Sequence, residues 1–225
     1  MEQKPFYIGQ SLSWAWDTFK TNVGFLILVF LILWVVGAIF DIPIYFWRSS
    51  VPPLILNGVS LLVGTFLSIA VLKICLRFLD GGGSDFTDLY TGYPYFLNMI
   101  IGFILYGLLI VAGLILLIVP GIYWATKYML VGYLIVDQDM SPTDAFKKSG
   151  QMTQGSKWHL LLFVVASLGI NILGVIACGI GLFITMPLTA LASAHIYRSL
   201  ADFSKSSQPA VQPPPLQTVP PATGP

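Results

Sequence analysis

Four uncharged, strongly apolar runs organise this chain: Thr21 to Phe40, Ser49 to Leu72, Leu89 to Thr126 and Leu160 to Ala194. A helix needs about 20 apolar residues to cross a hydrocarbon core of roughly 30 Å. Each of the first two runs fits one such helix. The last two would each exceed about 50 Å as single helices at 1.5 Å per residue, so each must fold back. Pro120-Gly121 and Gly179-Ile180-Gly181 mark the expected turns, because proline removes a helical donor and glycine accepts the dihedrals of a tight reversal. The pattern predicts six transmembrane helices at about 22–40, 52–78, 97–119, 121–137, 158–178 and 182–202.

A short amphipathic stretch precedes each pair of spans. Leu12, Ala15, Trp16 and Phe19 recur at i, i+3, i+4 and i+7 among polar neighbours, and Phe86, Leu89, Tyr90 and Tyr93 repeat that spacing. The third stretch opens with Ser141-Pro142, a favourable N-cap with proline at the first helical position, and sets Ala145, Phe146 and Met152 opposite Lys147, Lys148 and Gln151. Such stripes suit helices lying in the headgroup region with the apolar face down. The expected fold is an all-α integral membrane domain over 1–203. It is built from three hairpins, each led by an interfacial helix, in units of 10–80, 84–138 and 141–203 that suggest an internal repeat. From residue 204 to 225 the chain turns rich in proline, glutamine, serine and threonine; such a segment buries no core and is expected to be a disordered cytoplasmic tail.

Charge fixes the orientation. With six spans, Lys4, Lys20, Lys73, Arg77, Lys147, Lys148, Lys157, Arg198 and Lys205 gather at one face, which the positive-inside bias makes cytoplasmic, together with both termini. Arg48 alone lies beyond the other face and Lys127 lies between. Deleting the fourth span would send Lys147, Lys148 and Lys157 across, which is why the short 121–137 segment counts as a crossing. Only 9% of residues are charged and 56% are apolar, too few charges to solvate the surface of a soluble domain. A net charge of +1 with no basic cluster gives no sign of a nucleic-acid partner. The first apolar run is followed by Trp47 and Arg48 and not by a small-residue cleavage site, so it reads as an uncleaved span. Cys75 and Cys178 stand far apart in apolar segments, and the two histidines lack metal-ligand spacing; no metal or cofactor is expected.

The run Ile118-Val119-Pro120-Gly121-Ile122-Tyr123-Trp124, followed by Lys127-Tyr128, then Ser141, Ala145 and Ser149 ahead of Gly155 and Trp158, resembles a broad bacterial family. That family comprises poorly characterised multi-spanning proteins and the membrane domain fused to some glycerophosphodiester phosphodiesterases. Pro187 and Ile196-Tyr197-Arg198 also fit, so the resemblance covers most of residues 5–203. It implies a helical bundle in the inner membrane. The catalytic activity of the fused enzymes belongs to a separate soluble domain with no counterpart here, so it does not carry over.

Among single residues, Lys127 is the sharpest candidate. In a helix starting at Pro120-Gly121 it lies roughly 9 Å inside the outer turn. An intramembrane lysine is costly and marks a ligand, a counter-ion or a pathway by default. It could pair with Asp41, hold a lipid phosphate among Tyr123, Trp124 and Tyr128, or simply extend its stem to the outer headgroups beside Tyr123 and Trp124. Gly81 to Gly83 reads as a hinge, and Asn171 as a bond between helices. No acid/base pair, nucleophile or catalytic cluster stands out. The expected role is therefore non-enzymatic: organisation of the envelope, or binding of membrane lipids or of a protein partner through the proline-rich tail. The alternative is a transporter or channel for lipids or small amphiphiles, which a broken span and an embedded lysine would suit.

Overall fold

A computed structural model of the chain describes residues 6–46, 53–83, 87, 91–116, 118–177 and 179–206, with the side chains of 41–46, 53, 54, 56, 118 and 119 left aside. Among them the regular structure is entirely helical. Nine α-helices follow in order: α1 (Ile8–Thr21), α2 (Val23–Phe46), α3 (Pro53–Leu79), α4 (Phe96–Leu116), α5 (Ile118–Lys127), α6 (Val131–Gln138), α7 (Pro142–Met152), α8 (Lys157–Ile176) and α9 (Leu182–Ser206), with a 3-10 turn at Tyr93–Tyr95.

Four segments are long and apolar enough to cross a membrane: Val23–Phe40, Asn57–Leu79, Tyr93–Leu116 and Lys157–Ile176. Their outward faces carry leucine, isoleucine and valine, including Leu97, Leu108, Ile115, Leu168 and Ile176. An exposed apolar area of this extent is tolerated where lipid, not water, surrounds the protein. α9 is 25 residues long but carries a polar row (Thr185, Thr189, Ser193) and Pro187.

The fourth expected crossing is not a single helix. Residues 118–138 form two short helices, α5 of 10 residues and α6 of 8, separated at Tyr128–Leu130. The expected turn also shifts. α4 ends at Leu116 and α5 begins at Ile118, so Pro120 and Gly121 lie inside the first turn of α5, where the amide that proline lacks has no intrahelical partner to miss. Gly121 serves the packing instead: a Cβ on Gly113 would sit 2.7 Å from the Gly121 Cα, so the two glycines let α4 and α5 touch backbone to backbone. The second hairpin turn forms where expected. Gly179 has φ +76°, and Gly181 packs against Gly174 so closely that a Cβ there would meet the Gly174 Cα at 2.7 Å.

The core joins α1, α2, α3, α6 and α9. α1 buries Ser11, Ala15 and Phe19 against α9, while Trp16 points outward with the Lys20 ammonium 5.9 Å from its ring. The face packed on α9 includes Ser11 beside Ala15 and Phe19, because small residues admit α9 closely, while the exposed indole of Trp16 suits an interfacial position. At one end of the bundle Arg198 bonds Asp80 at 2.6 Å and lies 3.7 Å from Asp137, tying α9 to the C-terminal ends of α3 and α6. Tyr197, fully buried, donates to Asp137 at 2.6 Å and accepts from Gln138 at 2.9 Å, and Gln138 in turn accepts from Lys148. The glycines expected as a hinge cap α3: Gly81, at φ +74°, bonds the Phe78 carbonyl and Gly82 that of Arg77, a paired left-handed helix end. The second amphipathic stretch and the tail from 207 onward lie outside the described residues, except 87 and 91–93.

Candidate functional site

The break between α5 and α6 follows from a rerouted hydrogen bond. In an unbroken helix the Val131 amide would bond the Lys127 carbonyl; here it bonds the Tyr128 carbonyl at 3.2 Å. That would leave the Lys127 carbonyl unpaired in an apolar setting, a costly arrangement. α7 supplies the partner. Ser149 Oγ donates to the Lys127 carbonyl at 2.9 Å, and Thr153 Oγ1 lies 3.2 Å from it while also bonding the Ser149 carbonyl at 2.9 Å. Both side chains are fully buried. α7 is held in place at its start by Ser141, whose Oγ accepts from the Asp144 amide at 3.3 Å and donates to the Asp144 carboxylate at 2.7 Å.

This anchoring sets the direction of the Lys127 side chain. It runs across Gly150, where a Cβ would stand 3.1 Å from its Cε, and brings Nζ 4.9 Å from the centre of the Tyr128 ring. The Tyr128 ring packs on Phe146 of α7. One turn earlier in α5, the Tyr123 hydroxyl accepts from Lys157 of α8, whose Nζ lies 4.6 Å from that ring's centre. Neither lysine has a carboxylate within ion-pair distance among the described residues, whereas Lys20, Lys147, Lys205 and Arg198 each have one.

An apolar groove of about 470 Å³ opens beside these cations, lined by Ile122, Tyr123, Thr126, Lys157, Trp158 and Leu161. Trp158 stands at its rim, 78% exposed. Gly155, at φ +79° in the turn from α7 to α8, also lines the groove, and the turn brings Lys157 back to α5. The arrangement pairs two ammonium groups with aromatic faces and an apolar trough, the chemistry that binds an anionic head with an apolar tail.

Of the expected site residues, Lys127, Tyr123 and Tyr128 come together here. Trp124 does not: its ring packs over Gly113 on α4, where a glycine Cβ would meet it at 2.9 Å. Asp41, the expected counter-ion, falls on a position whose side chain lies outside the described residues. The expected depth also changes. A straight crossing from residue 121 puts Tyr123 and Lys157 at opposite faces of the bilayer, about 30 Å apart; their contact excludes that path for α5. Lys157, Ser149, Gly150 and Thr153 were not legible as site residues, because their relation to Lys127 depends on the break.

The family described as protein of unknown function (DUF975) matches residues 92–204, a segment that contains every residue of this site. Uncharacterized proteins of Mycobacterium bovis and of two strains of Mycobacterium tuberculosis are each 22% identical over 230 residues, covering 89% of this chain and 70% of each relative. No solved structure matches the chain.

Proposed function

We propose, for a chain that belongs to the DUF975 family of unknown function, that it is a non-enzymatic membrane protein that binds an anionic lipid or similar amphiphile between α5, α7 and α8. One observation carries this: Lys157 lines an apolar groove with Tyr123, Thr126 and the rim residue Trp158, Lys127 follows Thr126 directly in the chain, and neither lysine has a carboxylate partner among the described residues. An unpaired cation at a low-dielectric boundary is stabilised by a counter-anion, and the nearest abundant anions at a bilayer surface are lipid phosphates. The tail of such a ligand would lie in the groove along Ile122 and Leu161. Organisation of the envelope through held lipid, or through a protein bound by the proline-rich tail, follows as the physiological role.

The same proposal includes the orientation. Lys148, Arg198 and the ends of α3, α6 and α9 share one network, and the positive-inside bias makes that end cytoplasmic, with both termini there in the inner membrane. The full count of six crossings in three hairpins, the threefold repeat, and kinship with the membrane domain of glycerophosphodiester phosphodiesterases belong to this proposal too. The groove then lies beside the start of α8, toward which the α4–α5 hairpin leans.

Native mass spectrometry of protein released in gentle detergent tests the proposal. The unmodified chain is expected to retain an anionic phospholipid that Lys127→Met and Lys157→Met each lose. Identical adduct patterns in all three would contradict it.

A further inference from the structure

A second feature lies apart from the lysine site, between α8 and α9. Below the Gly174–Gly181 contact, a polar row runs along each helix: Ser167 and Asn171 on α8, and Thr185, Thr189 and Ser193 on α9, all at four-residue spacing. Four-residue spacing stacks side chains on one helical face, so the rows are built to face each other. Their mutual bonding is incomplete. Asn171 Nδ2 donates to the Ser167 carbonyl at 2.9 Å and reaches Thr189 Oγ1 only at 3.4 Å, while Thr189 and Ser193 donate to carbonyls of their own helix at 2.9 and 2.7 Å. Ser167 Oγ, Asn171 Oδ1 and Thr185 Oγ1 are buried and have no hydrogen-bond partner.

Three unmet polar atoms within about two turns of a membrane helix pair are expensive, because no lipid tail can bond them. Beside them lies a crevice of about 280 Å³, lined by Ser167, Thr189 and Ser193 together with Met129, Phe163 and Met186. That volume exceeds the roughly 30 Å³ that one water molecule occupies in the liquid several times over. The lining hydroxyls offer donors and acceptors and carry no charge.

We infer that the α8–α9 crevice is a hydrated site, held by the Ser167–Asn171–Thr185–Thr189–Ser193 seam, that takes water and small uncharged hydrogen-bonding solutes. An ion is disfavoured: the lining has no charged group to balance one. Water in the crevice satisfies Ser167 Oγ, the unmet group that lines it.

Thiol accessibility tests it in the full chain in lipid nanodiscs, where both faces are open to reagent. In a Cys75→Ala, Cys178→Ala background, Ser167→Cys and Ser193→Cys are compared with Leu168→Cys, a neighbour that is 60% exposed toward lipid. The probe is the small uncharged reagent 2-hydroxyethyl methanethiosulfonate; the thiolate attacks its sulfenyl sulfur and displaces methanesulfinate, so reaction needs a hydrated site where the thiol can ionise. Both seam cysteines are expected to react at least about tenfold faster than Leu168→Cys. Adding Asn171→Leu, which removes an unmet acceptor, is expected to slow Ser167→Cys several-fold. Equal rates at Ser167→Cys and Leu168→Cys overturn the inference, as does an Asn171→Leu variant that elutes as a folded monodisperse species yet leaves the Ser167→Cys rate unchanged.

Discussion

Removing the two α7 hydroxyls that face the α5–α6 break should destabilise the fold by more than the sum of its parts. Ser149→Ala deletes the donor 2.9 Å from the Lys127 carbonyl. Thr153 Oγ1 stands 3.2 Å from that carbonyl and can turn its single proton from the Ser149 carbonyl to fill the gap. The single change should therefore cost about 1 kcal/mol, the usual net value of one hydrogen bond. Thr153→Val keeps the side-chain volume and leaves Ser149 in place, so it too should cost about 1 kcal/mol. The double variant leaves the carbonyl with no donor, because the Val131 amide is already committed to Tyr128. An orphaned buried carbonyl adds about 1–3 kcal/mol, so the double should lose about 3–5 kcal/mol. The assay is a double-mutant cycle by reversible unfolding in detergent, with a coupling energy of about 1–3 kcal/mol expected. Additivity within about 0.5 kcal/mol would refute the claim that α7 satisfies the break.

Gly113→Ala should lower stability by about 1–2 kcal/mol, since overpacking against the Gly121 backbone outweighs the gain in helix propensity, whereas Gly107→Ala, which meets open space, should be neutral or stabilising; thermal unfolding of both decides. Tyr197→Phe should cost about 1.5–3 kcal/mol by removing the donor to Asp137, while Asp80→Asn, whose side chain is 63% exposed, should cost under about 1 kcal/mol; equal losses in chemical denaturation would contradict the burial argument. Gly150→Leu should displace the Lys127 ammonium from Tyr128 and reduce retained anionic lipid in native mass spectrometry, with unchanged retention counting against the site.

Much of the fold was legible from hydropathy because long apolar runs have few alternatives in a membrane protein. The Ser141 cap, the Gly179 turn and the Asn171 contact were equally readable, each resting on local chemistry. The α5–α6 break was not, since Thr126 and Lys127 are the interruptions in the apolar run before the closing Asp137, and propensity alone gives no reason to stop at Tyr128. The reason lies about twenty residues on, in Ser149 and Thr153, whose hydroxyls make the interruption affordable. The same non-local cause hid Lys157, which counted only toward the positive-inside charge until α5 was found beside it. The stripe Leu12, Ala15, Trp16 and Phe19 gave an amphipathic first helix, but spacing could not say which of its positions pack on α9; Ser11, Ala15 and Phe19 do.

The central claim is that α5 and the start of α8 meet, so that Lys127 and Lys157 serve one groove. The direct measurement is cross-linking of Tyr123→Cys to Lys157→Cys in a Cys75→Ala, Cys178→Ala background, using a short bis-methanethiosulfonate reagent on protein in native membranes. Rapid intramolecular cross-linking, absent when Tyr123→Cys is paired with a cysteine at Ile180, is the expected result. Failure to cross-link, with the two cysteines labelled from opposite sides of the membrane by an impermeant reagent, would contradict the account and restore a straight fourth crossing.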